Sequence, residues 1–153
     1  MISVRCPSVE DTRFAGARLA AHCVPGDVIL LVGQLGAGKT AFVSGIADGL
    51  GVEGPVTSPS YVIMRRYDDG FLPLVHVDVY RLGSLGEFAD LDVWQESQNG
   101  VLVIEWGTAV GSKLPEDRLV VRIDVDTDEC RTITFEAMGK WKTRRLDDLG
   151  GVS

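Results

Sequence analysis

Two unbroken β-favouring runs stand out along the chain, Val28-Ile29-Leu30-Leu31-Val32 and Val101-Leu102-Val103-Ile104. Neither offers a polar residue to solvent, the pattern of a strand covered on both faces. Elsewhere the spacing turns helical. Ser8-Val9-Glu10-Asp11 supplies an N-cap serine and acids for a first turn, and Phe14, Ala17, Leu19, Ala20 and Ala21 follow as an apolar side, predicting a helix over residues 9–23. Phe42, Val43, Ile46 and Leu50 predict a second helix from Lys39 to Leu50, with Gly49 or Gly51 as its stop.

Pro55 and Pro59 mark residues 54–60 as a loop. Two strand-like runs, 61–67 and 74–80, flank Asp68-Asp69-Gly70 and read as a hairpin. Residues 84–97 are moderately helical, with Leu85, Phe88, Leu91 and Trp94 inward, before Asn99-Gly100 turns the chain into the second apolar run. Residues 118–125 and 131–137 alternate as a closing antiparallel pair. The expected fold is α/β: a P-loop NTPase-like single domain over residues 1–138, with a central mixed sheet flanked by helices. The sheet should be parallel around the two apolar runs and antiparallel at the hairpin and the closing pair. A tail over 139–153, basic and then acidic, is expected to fray.

At 153 residues, the chain has length for one ordinary core. No apolar run reaches bilayer length, and the first residues lack a secretory pattern, so a cytoplasmic protein is expected. Cys6, Cys23 and Cys130 are too widely spaced to suggest a disulfide framework or a zinc site. A net charge of −7 argues against a protein that grips nucleic acid over its whole surface. It leaves room for a local contact through Lys140, Lys142, Arg144 and Arg145, which flank Trp141 in the tail.

The chemistry concentrates where the first strand meets the second helix, at Gly33-Gln34-Leu35-Gly36-Ala37-Gly38-Lys39-Thr40. A phosphate chain is well solvated by backbone N–H groups at a helix start, and glycines let the backbone wrap that closely. Lys39 is placed to reach the outer phosphates and Thr40 to ligate Mg²⁺, so ATP and Mg²⁺ are the expected ligands. Such a site needs an acid at the end of a neighbouring buried strand, and Glu105 follows the second apolar run. Strand alternation puts His76, Asp78 and Tyr80 on one face, as a half-solvated strand or as a second wall of a phosphate site.

These motifs, together with Thr57-Ser58-Pro59-Ser60-Tyr61, His76-Val77-Asp78-Val79-Tyr80-Arg81-Leu82 and Val103-Ile104-Glu105-Trp106, resemble the TsaE (YjeE) family, ATPase partners in bacterial tRNA threonylcarbamoyladenosine synthesis. The resemblance covers Glu10 to Trp106 and is weak beyond it. It implies an accessory ATPase that works with TsaB-like and TsaD-like proteins, the latter transferring the threonylcarbamoyl group to tRNA. By residue match, Gly33 to Ala41 and Trp106 meet the nucleotide or, for Trp106, a partner surface. Thr40 and Glu105 serve the metal, Asp78 and Glu105 the reaction, and Thr57, Ser58, Pro59 and Ser60 form a switch-like loop. The family usually has aspartate in place of Gln34 and often a second hydroxyl in place of Ala41. Loss of that hydroxyl weakens an inner-phosphate contact by about 1 kcal/mol.

Two other functions use the same loop. A small-metabolite kinase would also need lid arginines, for which Arg65, Arg66, Arg144 and Arg145 are candidates, and an acceptor pattern that the sequence does not display. A nucleotide-gated binding module would make hydrolysis incidental.

Overall fold

A computed structural model of the chain describes residues 1–34, 36–56, 64–78, 93–105, 115–126 and 129–150. The described strands are β1 (Ile2–Cys6), β2 (Val28–Gly33), β3 (Met64–Tyr67), β4 (Leu74–Asp78), β5 (Val101–Glu105), β6 (Arg118–Val125) and β7 (Arg131–Met138). They form one sheet in the order β1-β7-β6-β2-β5-β4-β3. β2 runs parallel to β5 and β6, and β5 parallel to β4. The β3–β4, β6–β7 and β1–β7 pairs are antiparallel. This is the expected mixed α/β sheet, with both unbroken apolar runs in its interior.

The two faces of those central strands build separate cores. Ile29, Leu31, Val101 and Val103 pack on the side of α1 (Val9–Ala20) and α2 (Lys39–Leu50). Val28, Leu30, Leu102 and Ile104 pack on the opposite side with Val93, the first residue of α3 (Val93–Ser97). Both sets are buried, which is why neither run carries a polar residue.

Helix α1 begins at the N-cap serine that its sequence suggested, which here closes a capping box with Asp11. The Ser8 hydroxyl oxygen accepts from the Asp11 amide at 3.2 Å, and the Asp11 carboxylate accepts from the Ser8 amide at 3.2 Å. Its buried stripe differs from the expected one. Thr12, Ala15, Gly16, Leu19 and Ala20 face inward, whereas Phe14 is 54% exposed beneath the Arg18 guanidinium and Ala21 is exposed. The cause is the closeness of α1 to α2. A Cβ on Gly45 would stand 1.8 Å from the Arg13 carbonyl oxygen, and one on Gly16 would stand 2.2 Å from that of Phe42. Backbones that touch leave no room between them for an aromatic ring. Trp94, expected inward, is likewise 39% exposed.

Two segments depart from the sequence reading. Residues 2–6 form β1, an edge strand paired with β7 in the register Val4↔Ile133, although nothing was expected of them. The tail expected to fray is folded through residue 150 as two 3-10 turns, Gly139–Thr143 and Asp147–Gly150. Trp141, Leu146 and Leu149 sink into the α1–α2 core, and this apolar anchoring outweighs the polar composition around them. Among the described residues no helix is long and apolar enough to cross a membrane. The rest of the segment expected to be helical, 84–92, lies outside the described residues.

Candidate nucleotide site

The phosphate-loop sequence occupies the turn between β2 and α2, where local geometry accounts for its composition. Gly36 and Gly38 hold φ of 81° and 104°, the left-handed region that side chains rarely adopt, and Gly38 is the N-cap of α2. The Ala37 amide donates to the Gln34 carbonyl at 3.0 Å, and the Phe42 amide to that of Gly38 at 3.0 Å. Lys39 is buried, and its Nζ donates to the Gly33 carbonyl at 2.9 Å, so the ammonium spans the loop it follows. Thr40 and Ala41, the next residues of α2, are partly exposed. Leu35 lies outside the described residues.

A loop that offers its amides to an anion must turn its carbonyls outward and satisfy them there. Arg131, the first residue of β7, does so. Its Nε donates to the Ala37 carbonyl at 3.1 Å and one terminal nitrogen to that of Gly36 at 3.3 Å, while the other terminal nitrogen donates to the Glu129 carbonyl. This clamp was not legible in the sequence, because it joins residues 94 positions apart. Beside it opens a cleft of about 310 Å³ lined by Pro7, Ser8, Thr12, Gly38, Ala41 and Arg131. Cys6 lies just ahead of that wall; burial pushes its thiol up, a hydrogen bond with Thr12 opposing the shift.

The two sequence-predicted acids terminate adjacent strands. Register aligns Leu31 of β2 with Glu105 of β5, and Glu105 with Asp78 of β4. Parallel strands in register point equivalent residues the same way, so both acids take the sheet face that carries α1 and α2. They stand at the C-terminal ends of parallel strands, where open α/β sheets bind ligands. Asp78 is 9% exposed and Glu105 5%. His76, two residues before Asp78 on the same face, places Nε2 2.8 Å from Glu105 Oε2. Thr57, Ser58, Pro59, Ser60, Tyr80 and Trp106 lie outside the described residues.

Backbone amides at a helix start, an ammonium, a hydroxyl and two strand-end carboxylates are the donor set that a magnesium-bound polyphosphate requires. The residues present therefore fit a polyphosphate with Mg²⁺. The basic tail divides differently from its sequence reading. Arg144 is engaged with Asp27 through two hydrogen bonds of 2.8 Å, whereas Lys140, Lys142 and Arg145 remain exposed.

Comparison with known proteins reaches the same region. The family model described as threonylcarbamoyl adenosine biosynthesis protein TsaE matches residues 6–133, well past the Trp106 limit of the motif resemblance. The tRNA threonylcarbamoyladenosine biosynthesis protein TsaE of Streptomyces coelicolor is 47% identical over 148 residues, covering 91% of this chain and 99% of its own. Its Bacillus subtilis counterpart is 43% identical over 135 residues, covering 88% and 85%. A crystal structure of Bacillus subtilis YdiB superposes with a TM-score of 0.80 at 39% identity, covering 97% of this chain and 93% of that one. With a family model matched from β1 into β7 and relatives this similar over nearly their whole length, the chain belongs to the TsaE family.

Proposed function

We propose that this chain is an accessory ATPase of tRNA threonylcarbamoyladenosine biosynthesis, which binds ATP with Mg²⁺ and hydrolyses it in support of a complex with TsaB-like and TsaD-like proteins. The observation that carries the ATPase reading is the alignment of Asp78 and Glu105 at the ends of strands beside the phosphate loop. A glycine turn alone needs no acids. Two nearly buried carboxylates that end strands beside a phosphate loop are placed to meet a cation held there with the phosphates.

In this reading the loop amides and Lys39 hold the phosphates, and Thr40 and Glu105 hold the metal. Bound Mg²⁺ supplies neutralisation of phosphate charge and order to the reacting oxygens. Asp78 orients the attacking water or completes the metal's outer shell. Arg131 keeps the loop amides aimed inward, and the cleft beside Gly38 and Ala41 receives the nucleoside, its size lying at the lower end for small-ligand pockets. The role in tRNA modification rests on family membership. TsaB-like and TsaD-like proteins are the proposed partners, and tRNA contact is indirect or local, through the exposed basic residues of the tail.

The test is ATP turnover by the purified chain, alone and then with both partners and tRNA. Slow hydrolysis alone and faster hydrolysis in the complex are expected. Rapid phosphorylation of a small metabolite by the isolated chain would establish a kinase instead. Nucleotide-dependent assembly without turnover would establish a binding module.

A further inference from the structure

His76 is fully buried; among the described residues its ring makes one hydrogen bond, 2.8 Å to Glu105, and its Nδ1 has no partner. Leu74, on the same face of β4, is apolar and equally buried, as are Val75 and Val77 on the other face. An apolar side chain at position 76 would pack there without the cost of an unpartnered polar atom, about 1–3 kcal/mol. Packing therefore does not explain an imidazole here. What the imidazole adds is a donor aimed at one oxygen of the acid that ends β5.

We propose that His76 is a positioning residue for Glu105: in its Nε2-protonated tautomer it donates to Oε2 and fixes the carboxylate so that Oε1 is presented to the metal of a bound nucleotide. The tautomer follows from the pair itself. An ionised carboxylate only accepts, so the proton in the 2.8 Å contact belongs to Nε2. Nδ1 is then a bare acceptor, a cheaper atom to leave unpartnered than an N–H of an imidazolium. Among the described residues, His76 is the hydrogen-bond partner of Glu105. Rotation of the carboxylate about its last torsion is broad without such a tie. Groups behind a metal ligand, holding its orientation, typically change metal affinity or activity by about 10–100-fold when removed.

The inference rests on the nucleotide reading, and two experiments separate them. Long-range ¹H–¹⁵N spectra of the full chain, recorded without nucleotide or Mg²⁺, report the ring tautomers directly. The chain has 2 histidines, so a His22→Gln variant assigns both. An Nε2-protonated His76 is expected, and an Nδ1-protonated ring overturns the proposal whatever the site binds. Calorimetry of ADP binding across a Mg²⁺ series then reads the role. His76→Leu is expected to raise the Mg²⁺ concentration for half-maximal enhancement by about 10–100-fold while leaving Mg²⁺-free ADP affinity unchanged. His76→Gln, whose amide nitrogen stands near the position of Nε2, restores the dependence, whereas His76→Asn does not. Unchanged Mg²⁺ dependence in a folded His76→Leu chain overturns the positioning role. Failure of the unsubstituted chain to bind ADP at all overturns the nucleotide reading instead, and the tautomer spectrum still decides the His76–Glu105 bond.

Discussion

Arg144 grips Asp27 with both arms of its guanidinium, each bond 2.8 Å long, and its Cζ lies over the Trp141 ring at 4.0 Å from the centroid. Asp27 is 6% exposed and its Oδ2 also accepts from the Val24 amide at 2.7 Å, so one carboxylate ties the C-terminal turns to the bend that enters β2. Arg144→Ala is expected to destabilise the fold by about 2–3 kcal/mol, since it leaves a buried carboxylate without its cation. Urea unfolding of the two single variants and the Asp27→Ala/Arg144→Ala double variant gives the coupling. A coupling near zero would remove the latch from the account of stability.

The Arg131 clamp predicts a change in ligand affinity that exceeds the change in stability. Arg131→Ala frees the carbonyls of Gly36 and Ala37, which the solvent beside them can partly satisfy, but releases the loop from its binding geometry. Mg²⁺–ADP affinity should fall on the order of 10-fold, the equivalent of about 1.4 kcal/mol, by calorimetry. Equal affinity in a folded variant would show that the loop holds its shape unaided.

Lys39→Ala and Thr40→Ala should abolish productive ATP binding with Mg²⁺, because phosphate or metal charge is left uncompensated in a poorly solvated site. Glu105→Ala should fold yet lose metal-dependent turnover. Asp78→Asn tests the second acid: unchanged nucleotide affinity with lower kcat marks a group that acts on the reacting water, and weakened Mg²⁺ dependence marks the metal shell. Wild-type turnover in a folded Glu105→Ala chain would sink the metal role.

Burial pushes the Cys23 thiol up from 9.0 to about 12, the Asp27 carboxylate adding to the shift and Arg144 opposing it. Above pH 9 the unfolded chain therefore releases this proton while the folded chain keeps it, and stability falls as pH rises towards 12. The slope from this one group approaches about 1.4 kcal/mol per pH unit. Urea midpoints between pH 9 and 10.5 should fall less steeply in Cys23→Ala than in the unsubstituted chain. Parallel slopes would refute the shift.

Much of the site was legible because its pieces are local. The phosphate loop is one contiguous string, and the runs at 28–32 and 101–104 announce buried strands without outside information. Non-local pairings were not legible. β1 has an ordinary alternation whose meaning depends on β7, more than a hundred residues later, and Arg131 looks like any strand-opening residue until the loop is set beside it. Phe14 misled because apolar spacing reports which side of a helix is greasy, not how near its neighbour comes. In the tail, charge masked three apolar anchors, Trp141, Leu146 and Leu149.

The contact between Gly45 and the Arg13 carbonyl has a mechanical meaning. Helices that meet through their main chains interlock like meshed gear teeth, with no cushion of side chains to shear. Helix α2, which begins at the phosphate loop, therefore cannot serve as a piston: sliding it would drive one backbone into the other. Any stroke linked to ATP turnover must be carried on the opposite flank of the loop, where β4 and β5 end. Amide hydrogen exchange should accordingly leave α1 and α2 unchanged between ATP-analogue and ADP states and change at the C-terminal ends of β4 and β5.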